Sequence, residues 1–278
     1  MRWEELTGDE FAKAVKTVKG VCVLAWGCIE RHGPHMPLGT DMLNGLHVAE
    51  QAARREPAIV FPPWFVAQIN EARCFPGTIA LPPELVLAAN LAILDEIGRN
   101  GLTKIVLFVS HGGNNHLAAF LSQAMLYRQR PYRLYVVYAD AAASQEQIDR
   151  MQALLDVPRG GHADEWETSI MLGHRPDLLK MRALKGGRGG QDLGRLKRLI
   201  GNTKTFYSLT GWYAKYPEHY AGDARKATAD KGRKIVDILA TALADFIARV
   251  KADTVMPALE AEFFGRVEQV SSPGRRKR

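Results

Sequence analysis

One stretch constrains this chain most: a buried-strand pattern that runs directly into a loop of acidic and imidazole side chains. The strand is the apolar run Val21–Trp26, whose length and composition are typical of a strand buried on both faces. The glycines and prolines of the next segment, G-C-I-E-R-H-G-P-H-M-P-L-G-T-D, end the strand and favour an irregular loop. Its polar side chains, which are costly to bury unless something binds them, are Glu30, His32, His35 and Asp41.

A divalent metal ion is the simplest partner for such side chains. Imidazole suits zinc and its neighbours, and carboxylates suit zinc, manganese and magnesium. Glu30 and His32 are two residues apart, so in an extended segment they point to the same side. Asp41 precedes a helical pattern, where its carboxylate could bridge two ions. Any one of these residues alone is better explained as a turn cap, but Glu30, His32 and Asp41 together predict a metal site.

Composition narrows the class of protein. The 278 residues are 46% hydrophobic and 24% charged, which is typical of a soluble globular protein. The net charge of +7 is local: residues 180–204 hold eight basic residues and one acidic residue, and the last eight residues hold four basic ones. Without a nucleic-acid motif, this pattern predicts a basic surface excursion and a basic tail, and no nucleic-acid or membrane partner. Three cysteines without a CxxC motif predict a reducing, cytoplasmic location.

Strands and helices alternate along the chain, which predicts a mainly parallel sheet covered by helices on both faces. In such sheets, sites form beyond the carboxyl ends of the strands. A second polar cluster, S-H-G-G-N-N-H, follows the strand pattern at 104–109 just as the first follows Val21–Trp26, so we expect one shared site. Thr7, with Glu10 three residues later, predicts a capping box at the start of one helix, and Pro82 and Pro83 are expected to open another at its first turn. The predicted strands are 21–26, 58–61, 104–109 and 132–138, and the predicted helices are 7–17, 41–55, 83–99, 117–128, 163–173 and 223–250.

The remaining segments have less specific patterns. The motif G-G-H-A-D-E-W-E-T-S, taken alone, predicts a capped helix with a solvated acidic first turn. The aromatic cluster from Trp212 to Tyr220 is explained about equally well as a pocket wall and as loop packing. We expect a single domain over 1–252, including a mobile basic excursion at 180–204, and a C-terminal extension over 253–278 that ends in a disordered tail.

Three separated motifs resemble the creatininase (creatinine amidohydrolase) family: G-C-I-E-R-H-G-P-H-M-P-L-G-T-D, S-H-G-G-N-N and G-H-A-D-E-W-E-T-S. F-P-G-T at Phe75 and G-D-A-R-K-A-T-A-D-K-G near the C-terminus are also similar to it. The resemblance implies a three-layer α/β/α sandwich with a mostly parallel central sheet, commonly assembled as a homo-oligomer, often a hexamer. It also implies a hydrolase with two divalent ions per chain, zinc, manganese or iron.

The resemblance also implies roles for individual residues. Glu30 and His111 would bind one ion, His32 the other, and Asp41 would bridge them. His162 matches the family's catalytic histidine. Creatininase itself has a carboxylate two residues after the histidine that matches His111. Gly113 stands there in this chain, and the resemblance to members with H-G-G-N implies that Glu167 supplies the missing carboxylate.

These metal-binding and catalytic residues together predict a metal-dependent hydrolase that cleaves a carbon–nitrogen bond in a small, cyclic amide. A second hypothesis is cleavage of a carbon–carbon bond in a cyclic polyol ketone such as a dehydro-inosose, and a third is a non-catalytic interaction protein. The substrate would be a small polar molecule with a carbonyl group. The predicted substrate-binding residues are His35, Glu71, Arg73, Asn114, Trp212 and Tyr213.

Overall fold

A computed structural model describes residues 1–158, 160–184, 190–203 and 207–271. Its centre is a parallel sheet whose strands span Val21–Trp26 (β1), Ile59–Val60 (β2), Lys104–Val109 (β3) and Arg133–Tyr138 (β4). The strand order is β2-β1-β3-β4. In register, Trp26 at the end of β1 lies beside Val109 at the end of β3, so the carboxyl ends of the two central strands meet.

Helices cover both faces of the sheet, because strand β1 is buried along its whole length and needs apolar partners on each side. The helices span Gly8–Thr17 (α1), Thr40–Arg55 (α2), Pro83–Arg99 (α3), Asn115–Ala124 (α4), Gln145–Gln152 (α5), Glu165–His174 (α6), Lys197–Ile200 (α7), Gly211–Lys215 (α8), Ala229–Ala252 (α9) and Val255–Ser271 (α10).

The side chains of β1 alternate between two cores. Val23 and Ala25 pack with α2 and α9, whereas Leu24 and Trp26 pack with α1, α3 and α4. The predicted three-layer α/β/α sandwich is therefore confirmed.

Local capping sets several helix starts. Thr7 and Glu10 form the predicted capping box, with each side chain bonded to the other residue's backbone N–H. Helix α9 begins later than predicted, because the side chain of Thr228 caps it by accepting a hydrogen bond from the Lys231 N–H. The preceding residues form a turn in which Asp223 pairs with Arg225 instead of continuing the helix.

The first turn of α6 is not solvated, which corrects the sequence prediction. Asp164 caps the helix by accepting hydrogen bonds from the backbone N–H groups of Gly161 and Glu167. Glu165 is fully buried and ion-pairs with Lys231 of α9. The Asp164 cap and the Glu165–Lys231 ion pair tie the end of the loop 160–164 to α6 and α9, and they thereby fix the loop that carries His162.

The C-terminal extension contains a helix that the sequence analysis did not predict. An Arg133–Glu260 ion pair of 3.1 Å ties helix α10 to the edge strand β4, and Phe264 of this helix is buried. The predicted disordered tail, 272–278, lies outside the described residues. Within the described part of the chain, no helix is both long and apolar enough to cross a membrane.

The described parts of the predicted excursion at 180–204 are attached to the rest of the fold. The Lys180 N–H donates to the backbone oxygen of His35 at 2.8 Å, and Leu184 is buried. Further along, the Leu193 N–H donates to the backbone oxygen of Lys215 at 3.1 Å. Residues 185–189 and 204 of this segment are outside the described part.

Candidate metal centre

The carboxyl ends of β1 and β3 bring the two polar clusters of the sequence into one place. Glu30 and His32 follow β1, and His111 follows β3. Asp41 lies in the first turn of α2, and Glu167 lies in the first turn of α6. Five side chains from three separate motifs therefore converge at the sheet edge where α/β proteins place their sites.

One half of this cluster is built around His111. Its Nδ1 atom lies 2.8 Å from Asp41 Oδ2 and 3.1 Å from Glu30 Oε1. All three residues are buried. An imidazole nitrogen and two carboxylate oxygens at these separations form a donor set for a divalent ion.

The other half of the cluster is built around His32. Its Nε2 atom lies 3.1 Å from Asp41 Oδ1 and 3.8 Å from Glu167 Oε2. These three residues form a second possible donor set. Asp41 thus turns one carboxylate oxygen toward His32 and the other toward His111, which is the arrangement that a bridging carboxylate requires.

The electrostatics of the cluster suit a bound cation. Burial opposes charge on His32, but the Asp41 carboxylate outweighs it and raises the pKa of His32 to about 10. The pKa of His111 is raised in the same way by Glu30 and Asp41, against its burial. The protons on His32 and His111 thus balance the negative charge of the buried carboxylates. A bound cation would balance the same charge. On chemistry, charge and spacing, these residues fit the binding of divalent metal ions.

The pKa values predict that metal loading releases protons and becomes tighter as pH rises. His32 keeps its proton below about pH 10, and burial with the nearby Asp41 and Asp164 carboxylates raises the pKa of Glu167 to about 8. Both groups must lose a proton to become ligands, so acid weakens metal affinity. Calorimetry of zinc binding near neutral pH, in buffers with different ionisation enthalpies, should show release of at least one proton per chain. A binding enthalpy that does not depend on the buffer would contradict this.

The glycine at position 113 has a steric explanation. A Cβ atom there would lie 2.4 Å from His111 Nε2 and 3.1 Å from the backbone oxygen of Gln68, so no side chain fits without moving the histidine. Glu167 approaches from the opposite helix, and its Oε2 accepts a 2.6 Å hydrogen bond from the Ala163 N–H. Position 113 cannot carry a carboxylate, and Glu167 of α6 is placed to supply one instead.

His162 lies beside this cluster on a constrained loop. Its backbone exchanges two hydrogen bonds with Ala221, and Ala163 adopts a left-handed conformation with φ of 55°. The Nε2 atom lies 2.9 Å from the backbone oxygen of Arg31, and because a carbonyl only accepts, Nε2 carries the ring proton. Nδ1 is therefore the unprotonated nitrogen. Burial and the neighbouring His32 lower the pKa of His162 to about 3, which keeps the ring neutral.

His219 belongs to the cluster, although the sequence analysis placed it in the aromatic segment and not among the metal-site residues. Its Nε2 atom lies 2.5 Å from Glu30 Oε2, and its Nδ1 atom accepts a 3.0 Å hydrogen bond from the Trp212 indole. Because an indole N–H only donates, His219 must carry its proton on Nε2 and donate it to Glu30. In the sequence, His219 is a histidine near two tyrosines and a proline. That pattern does not distinguish a residue that orients Glu30 from one that packs a loop.

A cleft of about 710 Å³ opens over the cluster, and it receives only some of the predicted substrate-binding residues. Glu71 and Trp212 line it. His35 does not. It is buried, with its Nε2 atom 2.9 Å from the Thr168 hydroxyl, and burial lowers its pKa to about 4. Its placement is that of a core histidine.

Three other predicted substrate contacts also lie outside the cleft lining. Arg73 is exposed. Asn114 is fully buried, and its side-chain oxygen accepts a 3.0 Å hydrogen bond from the Gln68 N–H, so it ties two loops together. Tyr213 is exposed and packs under the Arg195 guanidinium.

The fold and the site together define an α/β enzyme with an acid–imidazole centre at the carboxyl edge of a parallel sheet. The family model for creatininase, described as creatinine amidohydrolase, matches residues 4–247. The chain therefore belongs to the creatininase family and is a hydrolase.

Two curated relatives are similar over much of their length. A mycofactocin precursor peptide peptidase from Mycolicibacterium smegmatis is 27% identical over 256 residues, covering 88% of this chain and 92% of that protein. A creatinine amidohydrolase from Pseudomonas putida is 27% identical over 195 residues, covering 64% of this chain and 73% of that protein.

Solved creatininase structures share the fold. A creatinine amidohydrolase (creatininase) has a TM-score of 0.73 at 21% identity, covering 91% of this chain and 98% of that chain. A creatininase mutant described as the Zn-Zn type has a TM-score of 0.71 at 21% identity, covering 89% of this chain and 97% of that chain. A structure described as creatininase Mn has a TM-score of 0.72 at 22% identity, covering 89% of this chain and 97% of that chain.

Proposed function

We propose that this chain is a metal-dependent hydrolase whose binuclear centre cleaves a carbon–nitrogen bond of a polar amide. The observation that carries the proposal is the position of Asp41, whose two carboxylate oxygens face two separate donor sets. Relatives named as an amidohydrolase and as a peptidase support amide hydrolysis over cleavage of a cyclic polyol ketone. Solved creatininases with zinc or manganese in their descriptions support the choice of ions.

When bound, two divalent ions supply a water of lowered pKa and an electrophile for the substrate carbonyl. Glu30 and His111 would hold one ion, His32 and Glu167 the other, and Asp41 both. The hydrogen bond from His219 orients Glu30 from behind.

His162 would manage the proton of the reaction. Its unprotonated Nδ1 can accept a proton, and the Arg31 carbonyl bonded to Nε2 would stabilise the positive charge that results. The same ring could then return the proton to the departing nitrogen. The ring lies 4.1 Å from that of His32 between centroids, so this group acts next to the centre.

The volume of the cleft limits the size of the substrate. A cleft of about 710 Å³ accommodates the small cyclic amide that the sequence predicts. A second depression of about 550 Å³ adjoins it and shares Gln68, Glu71, Tyr207 and Trp212 with it. This additional room favours a second candidate, the terminal amide bond of a short peptide, with the remaining peptide lying in the adjoining depression.

A substrate panel tests the proposed reaction. Metal-loaded protein is incubated separately with cyclic amides including creatinine, with short peptides and with inososes, and mass spectrometry follows the addition of one water. We expect hydrolysis of an amide or peptide, and none with metal-free protein. Turnover of an inosose alone would replace the carbon–nitrogen hypothesis by the carbon–carbon one. Turnover in none of the three panels would contradict both.

Replacement of Trp212 should separate its two contacts. Trp212→Ala removes a cleft wall, so we expect KM to rise on the order of tenfold with metal content unchanged. Trp212→Phe keeps an aromatic wall but removes the hydrogen bond to His219, so we expect a smaller rise in KM. Steady-state kinetics with elemental analysis checks both. An unchanged KM in both variants would show that Trp212 does not contact the substrate.

The remaining features of the proposal come from the creatininase resemblance and, for the location, from the cysteine content of the sequence. We propose a single catalytic domain over residues 1–252, a homo-oligomer as the working form, and the cytoplasm as its location. Gel filtration with light scattering would measure the oligomeric state.

A further inference from the structure

Cys28 is a fully buried side chain at the centre that the proposed mechanism does not use. It stands two residues after the end of β1, and it is 0% exposed. Its Sγ atom lies 3.3 Å from Glu30 Oε1 and 3.2 Å from Asp41 Oδ2. The other two cysteines are elsewhere: Cys22 is in the core of β1 and Cys74 is exposed.

The contacts of this thiol exceed what hydrogen bonding can satisfy. A thiol has one proton and is a weak donor, so it can make a single straight hydrogen bond to the two carboxylate oxygens beside it. The other contact places sulfur against an acidic oxygen without a donor. A cation between the three atoms would make both contacts favourable.

The spacing of four atoms matches a small coordination shell. Cys28 Sγ, Glu30 Oε1, Asp41 Oδ2 and His111 Nδ1 form one group whose atoms all lie within 4.8 Å of one another. The four separations that join the two carboxylate oxygens to Nδ1 and to Sγ run from 2.8 to 3.3 Å. A tetrahedral zinc ion with bonds of about 2.0–2.3 Å separates its ligands by roughly 3.3–3.8 Å, so a slight expansion accommodates it.

We propose that Cys28 is a ligand of the ion held by Glu30, Asp41 and His111, an inference that rests on the metal centre proposed above. Binding replaces the thiol proton, which leaves to solvent, by a sulfur–metal bond. That site then has four protein ligands, one of them sulfur.

The two sites consequently differ in chemistry. In the site with Cys28, four protein donors fill a tetrahedral coordination shell. Its thiolate is a soft ligand, which selects zinc or cobalt over manganese. The site with His32, Asp41 and Glu167 has only nitrogen and oxygen donors and fewer of them. It therefore accepts manganese and leaves positions for water and the substrate carbonyl.

Cobalt replacement tests the sulfur ligand directly. Metal-free protein is loaded with Co²⁺, and its absorption spectrum is recorded together with the cobalt content. We expect a thiolate-to-cobalt charge-transfer band in the near ultraviolet, present in the wild type and in the Cys74→Ser control. The band should be absent from Cys28→Ser, whose visible cobalt bands remain. Zinc affinity in Cys28→Ser should fall by about 100-fold, with manganese affinity at the other site unchanged.

The possible failures are distinguishable. Bound cobalt without the charge-transfer band in the wild type would overturn the role of Cys28 and leave the metal centre intact. A band that persists in Cys28→Ser would also overturn it, because the sulfur would come from another residue. A wild-type protein that binds no cobalt, zinc or manganese would overturn the proposed function and this inference together.

Discussion

Asp41→Asn is expected to remove metal from both sites at once. The two oxygens of Asp41 lie 3.1 Å from His32 Nε2 and 2.8 Å from His111 Nδ1, so one substitution takes a charged ligand from each donor set. An amide keeps the shape of the side chain but offers one neutral oxygen and one donor nitrogen, which cannot bridge two cations. We expect affinity at each site to fall by at least about 100-fold, and turnover to be lost with it.

Elemental analysis after gel filtration, with circular dichroism to confirm folding, measures this effect. Glu71→Gln is the matched control, since Glu71 lines the same cleft but lies outside the three possible donor sets. It should retain its full metal content. Full metal occupancy in Asp41→Asn would contradict the bridging role, and loss at only one site would assign Asp41 to that site alone.

His162→Ala is expected to keep both metal ions and the fold while losing most turnover. The side chain lies outside the two sets built on Asp41, and the proposed mechanism makes its unprotonated Nδ1 the proton acceptor beside the centre. Loss of general acid–base catalysis reduces kcat by about 10²–10⁴-fold. We expect KM to change much less, because the substrate carbonyl would still reach the metal centre.

A second substitution separates positioning from proton transfer. His162→Gln can keep the hydrogen bond to the Arg31 carbonyl but cannot take up a proton at neutral pH. We therefore expect it to be as inactive as His162→Ala. His162 can also be grouped with Glu30 and His32 as a possible donor set. Loss of one metal ion in both variants would identify His162 as a ligand and contradict its catalytic role.

The fold was predictable where short-range patterns decide it. The apolar run at β1, the Thr7–Glu10 capping box and the proline start of α3 predict their elements, and the structure confirms each. Helix α10 escaped prediction because its apolar residues do not follow one clean face, and its position depends on Arg133 of a distant strand.

The site was predictable where the motifs themselves place the residues. Glu30, His32 and Asp41 follow one strand and therefore share one edge of the sheet. The burial of Glu165 was not predictable, because its partner Lys231 lies 66 residues away. Cys28 and His219 were missed for the same reason: their significance depends on contacts with carboxylates that only the folded chain brings within reach.

The amount of metal bound per chain tests the central claim most directly. Purified protein is stripped with chelator, saturated with zinc, freed of excess ion and analysed for zinc against protein concentration. The two donor sets that share Asp41 predict two tightly bound ions per chain in the wild type. They also predict one ion in Glu167→Gln, because that substitution alters only the set built around His32. A wild-type protein that binds a single ion, or none, would contradict the binuclear centre.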